Sequence, residues 1–160
     1  KMYLKRIYIM RGENWETYWH KRYCTNINDE TINKTMLKYE FNKLVLPPKK
    51  EKIIVDDFLY QVYLINNAEV IFTVPGKAFI NIFFMKKGAK YLTLFPPSIP
   101  TYNNTPINVA KSNEVKIEIY METEIDKTNK WVNHGNKSNL PYKIKDIEHF
   151  IKWFDTELVQ

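Results

Sequence analysis

Apolar and polar positions along the chain alternate between two rhythms, one of strands and one of helices. Arg6–Met10 (RIYIM) is β-branched and aromatic and predicts a first strand. Asn28-Asp29-Glu30 supplies capping side chains and early acids for a helix start. Ile32, Met36, Leu37 and Tyr39 carry that helix toward Phe41. Residues 43–46 (KLVL) predict a second short strand, stopped by Pro47-Pro48. A helix starting at Asp56 or Asp57 sets Leu59, Val62, Tyr63 and Ile65 at helical spacing. Residues 70–74 (VIFTV) predict a buried strand. Pro75-Gly76 then turns the chain into a third helix through Met85, closed by Lys86-Lys87-Gly88 in a C-cap pattern. Residues 90–95 (KYLTLF) predict the next strand, and 115–120 (VKIEIY) a strand with one wet face.

Two stretches carry no such rhythm. Residues 98–113 are rich in proline and asparagine and predict a loop, and residues 121–141 predict a polar, mobile one. The clearest element comes last. Asp146 caps a helix over 146–158 in which Ile147, Phe150, Ile151, Phe154 and Leu158 form one apolar stripe. Strands separated by helices of this length require crossover connections. The chain therefore predicts a single α/β domain over 1–160, Rossmann-like, with a mostly parallel central sheet and helices on both faces.

Composition narrows the functional classes. The 160 residues are 44% hydrophobic and 15% aromatic, enough for a core without covalent staples. Cys24 is the one cysteine, which excludes an internal disulfide framework and fits either a reducing compartment or indifference to compartment. No run reaches the roughly 18 apolar residues of a membrane helix. The formal charge of +6 fits an anionic partner, yet only Arg6, Arg11 and Arg22 are arginines among 24 basic residues. That charge is dispersed, which disfavours nucleic acid as the partner. His20, His134, His149 and Cys24 have no metal-ligand spacing, and no Ser-His-Asp order, Walker motif or GxGxxG is present. The tripeptides Asn33-Lys34-Thr35, Asn103-Asn104-Thr105 and Asn136-Lys137-Ser138 fit the N-glycosylation pattern, as chance allows in so asparagine-rich a chain.

The strongest local signal is strand, tight turn, helix across Pro75, Gly76 and Lys77. In an open parallel sheet, ligands bind outside the carboxyl ends of strands, where helix starts offer free N–H groups. A turn glycine at Gly76 serves close packing as readily as ligand approach. Arg11 follows the first strand and Arg22 lies in the next segment. Each has the planar fork that binds phosphate oxygens, or an acid such as Glu13, Glu16 or Asp29 to pair with.

The order of these pieces resembles glycosyltransferase family 61, inverting enzymes of two-lobed GT-B type. RIYIMRG is similar to the family's strand ending in arginine, and KRYCTNINDE to its second arginine with a following Asn-Glu helix start. YEFNKLVL carries Glu40 where the family has glycine. Gln61, Leu64 and Ala68 fall at a Gln-x-x-Leu-x-x-x-Ala spacing. TVPGKAFINIFFMKKGA resembles the family signature at Gly76, Asn81, Met85 and Gly88, and PYKIKDIEHF resembles its closing Asp-containing helix. Three further positions depart from the family: Pro75 replaces histidine, Lys77 replaces alanine and Tyr60 replaces glutamate.

The resemblance implies the C-terminal, donor-binding lobe, with a UDP-sugar as substrate and no metal or other cofactor. Its implied donor contacts are Arg11, Arg22, Gln61, Gly76, Lys77 and Asn81. A glycan or protein hydroxyl would be the acceptor, and the catalytic base is expected from an N-terminal lobe outside these residues. The altered positions leave two alternatives: a non-catalytic module of the same fold, or an unrelated Rossmann-like protein, including a basic nucleic-acid binder.

Overall fold

The computed structural model describes residues 5–10, 23–45, 55–99, 101, 104–129 and 140–159. Five strands, β1 (Arg6–Met10), β2 (Asn42–Val45), β3 (Val70–Thr73), β4 (Lys90–Leu94) and β5 (Lys116–Tyr120), make one sheet. Its order is β2-β1-β3-β4-β5, and every neighbouring pair is parallel. The α/β expectation holds, including helices on both faces.

Alternation along the strands assigns the two faces. Ile7, Ile9, Ile71 and Tyr91 point to one side. There they meet Leu64 and Ile65 of α2 (Val55–Asn67), Ile82 of a 3-10 helix (Lys77–Phe84) and Ala110 of α3 (Asn104–Ser112). Tyr8, Phe72, Leu92, Leu94 and Tyr120 point to the other side. They pack with Ile32 and Met36 of α1 (Glu30–Lys38) and with Phe150 and Phe154 of α4 (Ile147–Val159). The α4 stripe docks as its periodicity predicts: the Phe154 ring lies 5.4 Å from that of Phe72 and 5.4 Å from that of Phe41.

Helix ends are specified locally. Asp29 accepts the Thr31 N–H at the start of α1, and Asp146 accepts the His149 N–H at the start of α4. At the end of α1, Phe41 N–H reaches Met36 O and Glu40 N–H reaches Leu37 O, a Schellman closure. The end of α3 repeats it, with Val115 to Ala110 and Glu114 to Lys111. In both motifs the left-handed position is a glutamate, at φ 57 in Glu40 and φ 55 in Glu114.

Three expectations need correction. Residues 98–113 are not all loop, because α3 occupies Asn104–Ser112. Pro106 falls in its first turn, where a missing N–H costs nothing, and Pro106 and Ala110 form a short buried stripe. Residues 121–141 contain β6 (Thr123–Ile125), which pairs antiparallel with β7 (Tyr142–Ile144); residues 130–139 lie outside the described set. The helix after Gly76 is a 3-10 helix that stops at Phe84, and Gly88, at φ 80, turns the chain into β4 instead of capping it. Its run of phenylalanine, isoleucine and asparagine is a weak α-former.

Candidate functional site

The sheet order reverses direction between β1 and β3. The connection after β1 leads to α1 on the Tyr8 face, and the connection after β3 leads to the 3-10 helix on the Ile7 face. Such a reversal leaves a crevice at the carboxyl ends of the two strands, where open α/β sheets hold ligands. Ile9 stands opposite Thr73, so both strands end level. Beyond Thr73 the chain passes through Pro75 and Gly76, both buried, and Gly76 is extended at φ 160.

Two threonines line the end of the sheet. Thr93 Oγ1 donates to Thr73 O at 2.8 Å, and Thr73 Oγ1 donates to Ile9 O at 3.2 Å. Both side chains are buried and share the Ile7 face. The sequence does not announce them, because a hydroxyl bonded across strands leaves no mark on periodicity.

The six sequence-derived donor contacts fare differently. Arg11 and Arg22 lie outside the described residues. Gly76 stands at the carboxyl end of β3, and Lys77 is the first residue of the 3-10 helix. Gln61 and Asn81 meet each other: Gln61 Nε2 donates to Asn81 Oδ1 at 3.4 Å, and Asn81 is buried. This rung ties α2 to the 3-10 helix, as Asn66 Nδ2 to Phe84 O at 3.0 Å does further along. Asn81 is five residues beyond Gly76, roughly 10 Å down the helix at 2.0 Å per residue. The pair therefore sits within the helical layer, below the crevice.

On the other side of the sheet, polar contacts join residues 23–26 to β7 and to Asp126. Asn26 acts as a side-chain strand: its Oδ1 accepts Ile144 N–H at 2.9 Å and its Nδ2 donates to Ile144 O at 2.9 Å. Beside it Tyr142 N–H bonds Tyr23 O, and Thr25 N–H bonds Tyr142 O. Asp126 accepts Thr25 Oγ1 at 2.7 Å and Thr128 Oγ1 at 2.6 Å, which hold its carboxyl below the usual carboxylate range. Burial pushes the Cys24 thiol up to about 12. At the end of β5, Tyr120 Oη lies 3.0 Å from Nδ1 of the exposed His149. These residues are 29 positions apart, and only the docking of α4 on β5 joins them.

No family model matches the chain. The chain is similar to Subtilisin-like protease 3 of Plasmodium falciparum (isolate 3D7), 27% identical over 138 residues that cover 79% of this chain. It spans 17% of that protein's length. Among the described residues no group of three or more His, Cys, Asp or Glu side chains suits a metal ion. None of the described helices is long and apolar enough to cross a membrane.

Proposed function

We propose that the chain is the donor-binding lobe of an inverting glycosyltransferase, holding a UDP-sugar with its phosphates at the β1/β3 crevice. The observation that carries this reading is the reversal of strand order between β1 and β3, with Pro75-Gly76 at the carboxyl end of β3. Glu40 adds independent support. Family 61, which the sequence resembles, has glycine at this position, and here the backbone is left-handed at φ 57, a conformation that favours glycine.

In this chemistry an acceptor hydroxyl attacks the anomeric carbon. A new C–O bond forms as the bond to the β-phosphate oxygen breaks, and the electron pair leaves with UDP. A base from a further lobe takes the hydroxyl proton. Arg11, Arg22, Lys77 and the backbone after Gly76 would stabilise the charge growing on the leaving diphosphate. Pro75 removes one N–H and stands where the family pattern has histidine, so this site would offer fewer donors than that pattern does.

Calorimetric titration with UDP tests the reading. Weak binding is expected, abolished by Arg11→Ala, strongly reduced by Gly76→Val, and weakened by salt as screening acts on the cationic contacts. Absence of binding at millimolar UDP, with a second lobe supplied, would overturn it.

A second reading, a non-catalytic module of the same fold, is favoured by the Gln61–Asn81 bond, since two implied donor contacts satisfy each other. The chain spans 17% of the length of the protease it is similar to, so that likeness carries no activity to this segment.

A further inference from the structure

The sheet ends on β5, and the outer edge of that strand carries bonding groups that the described residues do not use. A residue in a parallel strand turns its N–H and its C=O toward the same neighbour. Lys116 N–H donates to Ala89 O at 2.9 Å and Tyr120 O accepts the Phe95 N–H at 2.9 Å, so Lys116, Glu118 and Tyr120 bond toward β4. Ile117 and Ile119 therefore turn their N–H and C=O groups outward. Among the described residues those groups have no hydrogen-bond partner. Such a row is a template for a further strand.

The side chains of the same edge specify which strand fits. Ile117 and Ile119 share the Ile7 face and are only half-buried, while Lys116 and Glu118 are exposed on the Tyr8 face. Within the sheet Lys116 stands beside Lys90 and Glu118 beside Leu92, so neither meets an opposite charge in β4. Neither has an ion pair elsewhere among the described residues.

This pattern is complementary to itself. Consider two β5 strands set antiparallel about a twofold axis at Ile117. The two Ile117 residues exchange both of their hydrogen bonds, and each Ile119 N–H meets the Val115 carbonyl of the second copy. Lys116 of each copy then faces Glu118 of the other at non-hydrogen-bonded positions, where side chains come closest. Shifting the axis to Glu118 keeps the number of hydrogen bonds but sets Glu118 against its own copy, and like charges directly opposite are unfavourable. The other edge strand, β2, carries Lys43 and no acid over Asn42–Val45, so it lacks this self-complementarity.

We propose that β5 is a self-association edge, through which two copies of this chain pair antiparallel about Ile117 and join their sheets into one. Isologous pairing uses each edge once and closes at a dimer. The inference stands apart from the nucleotide reading, because it draws on no residue of the β1/β3 crevice. Pairing along one short strand makes a small interface, so the dimer is expected to be weak, with a Kd in the micromolar range.

Sedimentation velocity of the full chain over a dilution series tests this. A dimer that dissociates on dilution, and more readily in high salt, is the expected result. Lys116→Glu and Glu118→Lys each place like charges at both cross-strand pairs, and each alone should raise the dimer Kd about tenfold or more. An equal mixture of these two variants regains both ion pairs and should associate again. Both substitutions lie at exposed positions, where the fold does not depend on them. Ile117→Pro removes an outward N–H, a change that edge strands accept, and should give a folded monomer by circular dichroism. A wild-type chain that stays monomeric at millimolar concentration overturns the proposal. So does unchanged association in Ile117→Pro or in either charge variant, or a mixture no tighter than its components. Such a dimer would use another surface, for instance the exposed Ile80 and Phe83 of the 3-10 helix.

Discussion

Gln61 Nε2 lies 3.4 Å from Asn81 Oδ1, so two side chains that resemblance assigns to a sugar nucleotide meet one another in a helical layer. Asn81 is the buried partner and Gln61 the half-buried one. Asn81→Ala removes the acceptor and leaves a polar gap, with an expected loss of about 1–3 kcal/mol in urea unfolding. Gln61→Ala should cost about 0.5–1.5 kcal/mol, since its remaining polar groups reach water. A double-mutant cycle should show coupling between the two. If neither substitution changes stability while UDP affinity falls, the ligand and not the neighbour is the true partner.

A second prediction concerns the Schellman closure of α1. Glu40 occupies its left-handed position at φ 57, where a side chain costs roughly 1 kcal/mol relative to glycine. Glu40→Gly should therefore stabilise the protein by about 1 kcal/mol, and a β-branched Glu40→Val should destabilise it further. Equilibrium urea midpoints decide this, and an unchanged or lowered midpoint in Glu40→Gly would contradict it. Glu114 is a poorer subject, because its carboxylate also pairs with Lys87 at 2.7 Å.

The sheet was legible in the sequence because its strands are bounded by prolines, glycines or caps, and the α4 stripe because five apolar residues share one face. α3 was not legible. Its buried stripe is only Pro106 and Ala110, and its asparagines at 104 and 108 face water. Those features read as loop until the sheet supplies something to pack against. The candidate site divides the same way. Gly76 stands where strand-turn-helix logic puts it, because that logic is local. Asn26 with Ile144, Tyr120 with His149 and Gln61 with Asn81 are joined by tertiary packing, and no spacing in the chain announces them.

The environment of Cys24 predicts an inert thiol. Burial pushes it up to about 12, so at pH 8 almost none is thiolate, and the side chain is 2% exposed. Iodoacetamide should leave the folded protein unmodified over hours and label it fully in concentrated urea. Mass spectrometry reads both states. Rapid labelling under native conditions would show that the strand segment at Cys24–Tyr142 opens readily.

Acid should destabilise the protein through Asp126. Its carboxylate is held below the usual carboxylate range by the Thr128 and Thr25 hydroxyls, against an opposing effect of burial. A depressed folded value means that the unfolded chain takes up a proton more readily than the folded one, so stability falls with pH. The contribution is fully present above about pH 4, the unfolded aspartate range, and is lost as the pH drops through the lower folded value. Asp126→Asn keeps the shape but turns an acceptor of three donors into a group with its own N–H, one of which must face Thr25 or Thr128. At pH 7 the variant should be less stable than the wild type by about 1–3 kcal/mol. Repeating the urea titrations at pH 4, 3 and 2 should shrink that difference stepwise, because only the wild type loses a charge. A difference that stays constant down to pH 2 would mean that the Asp126 charge contributes nothing, and that the threonine bonds act through shape alone.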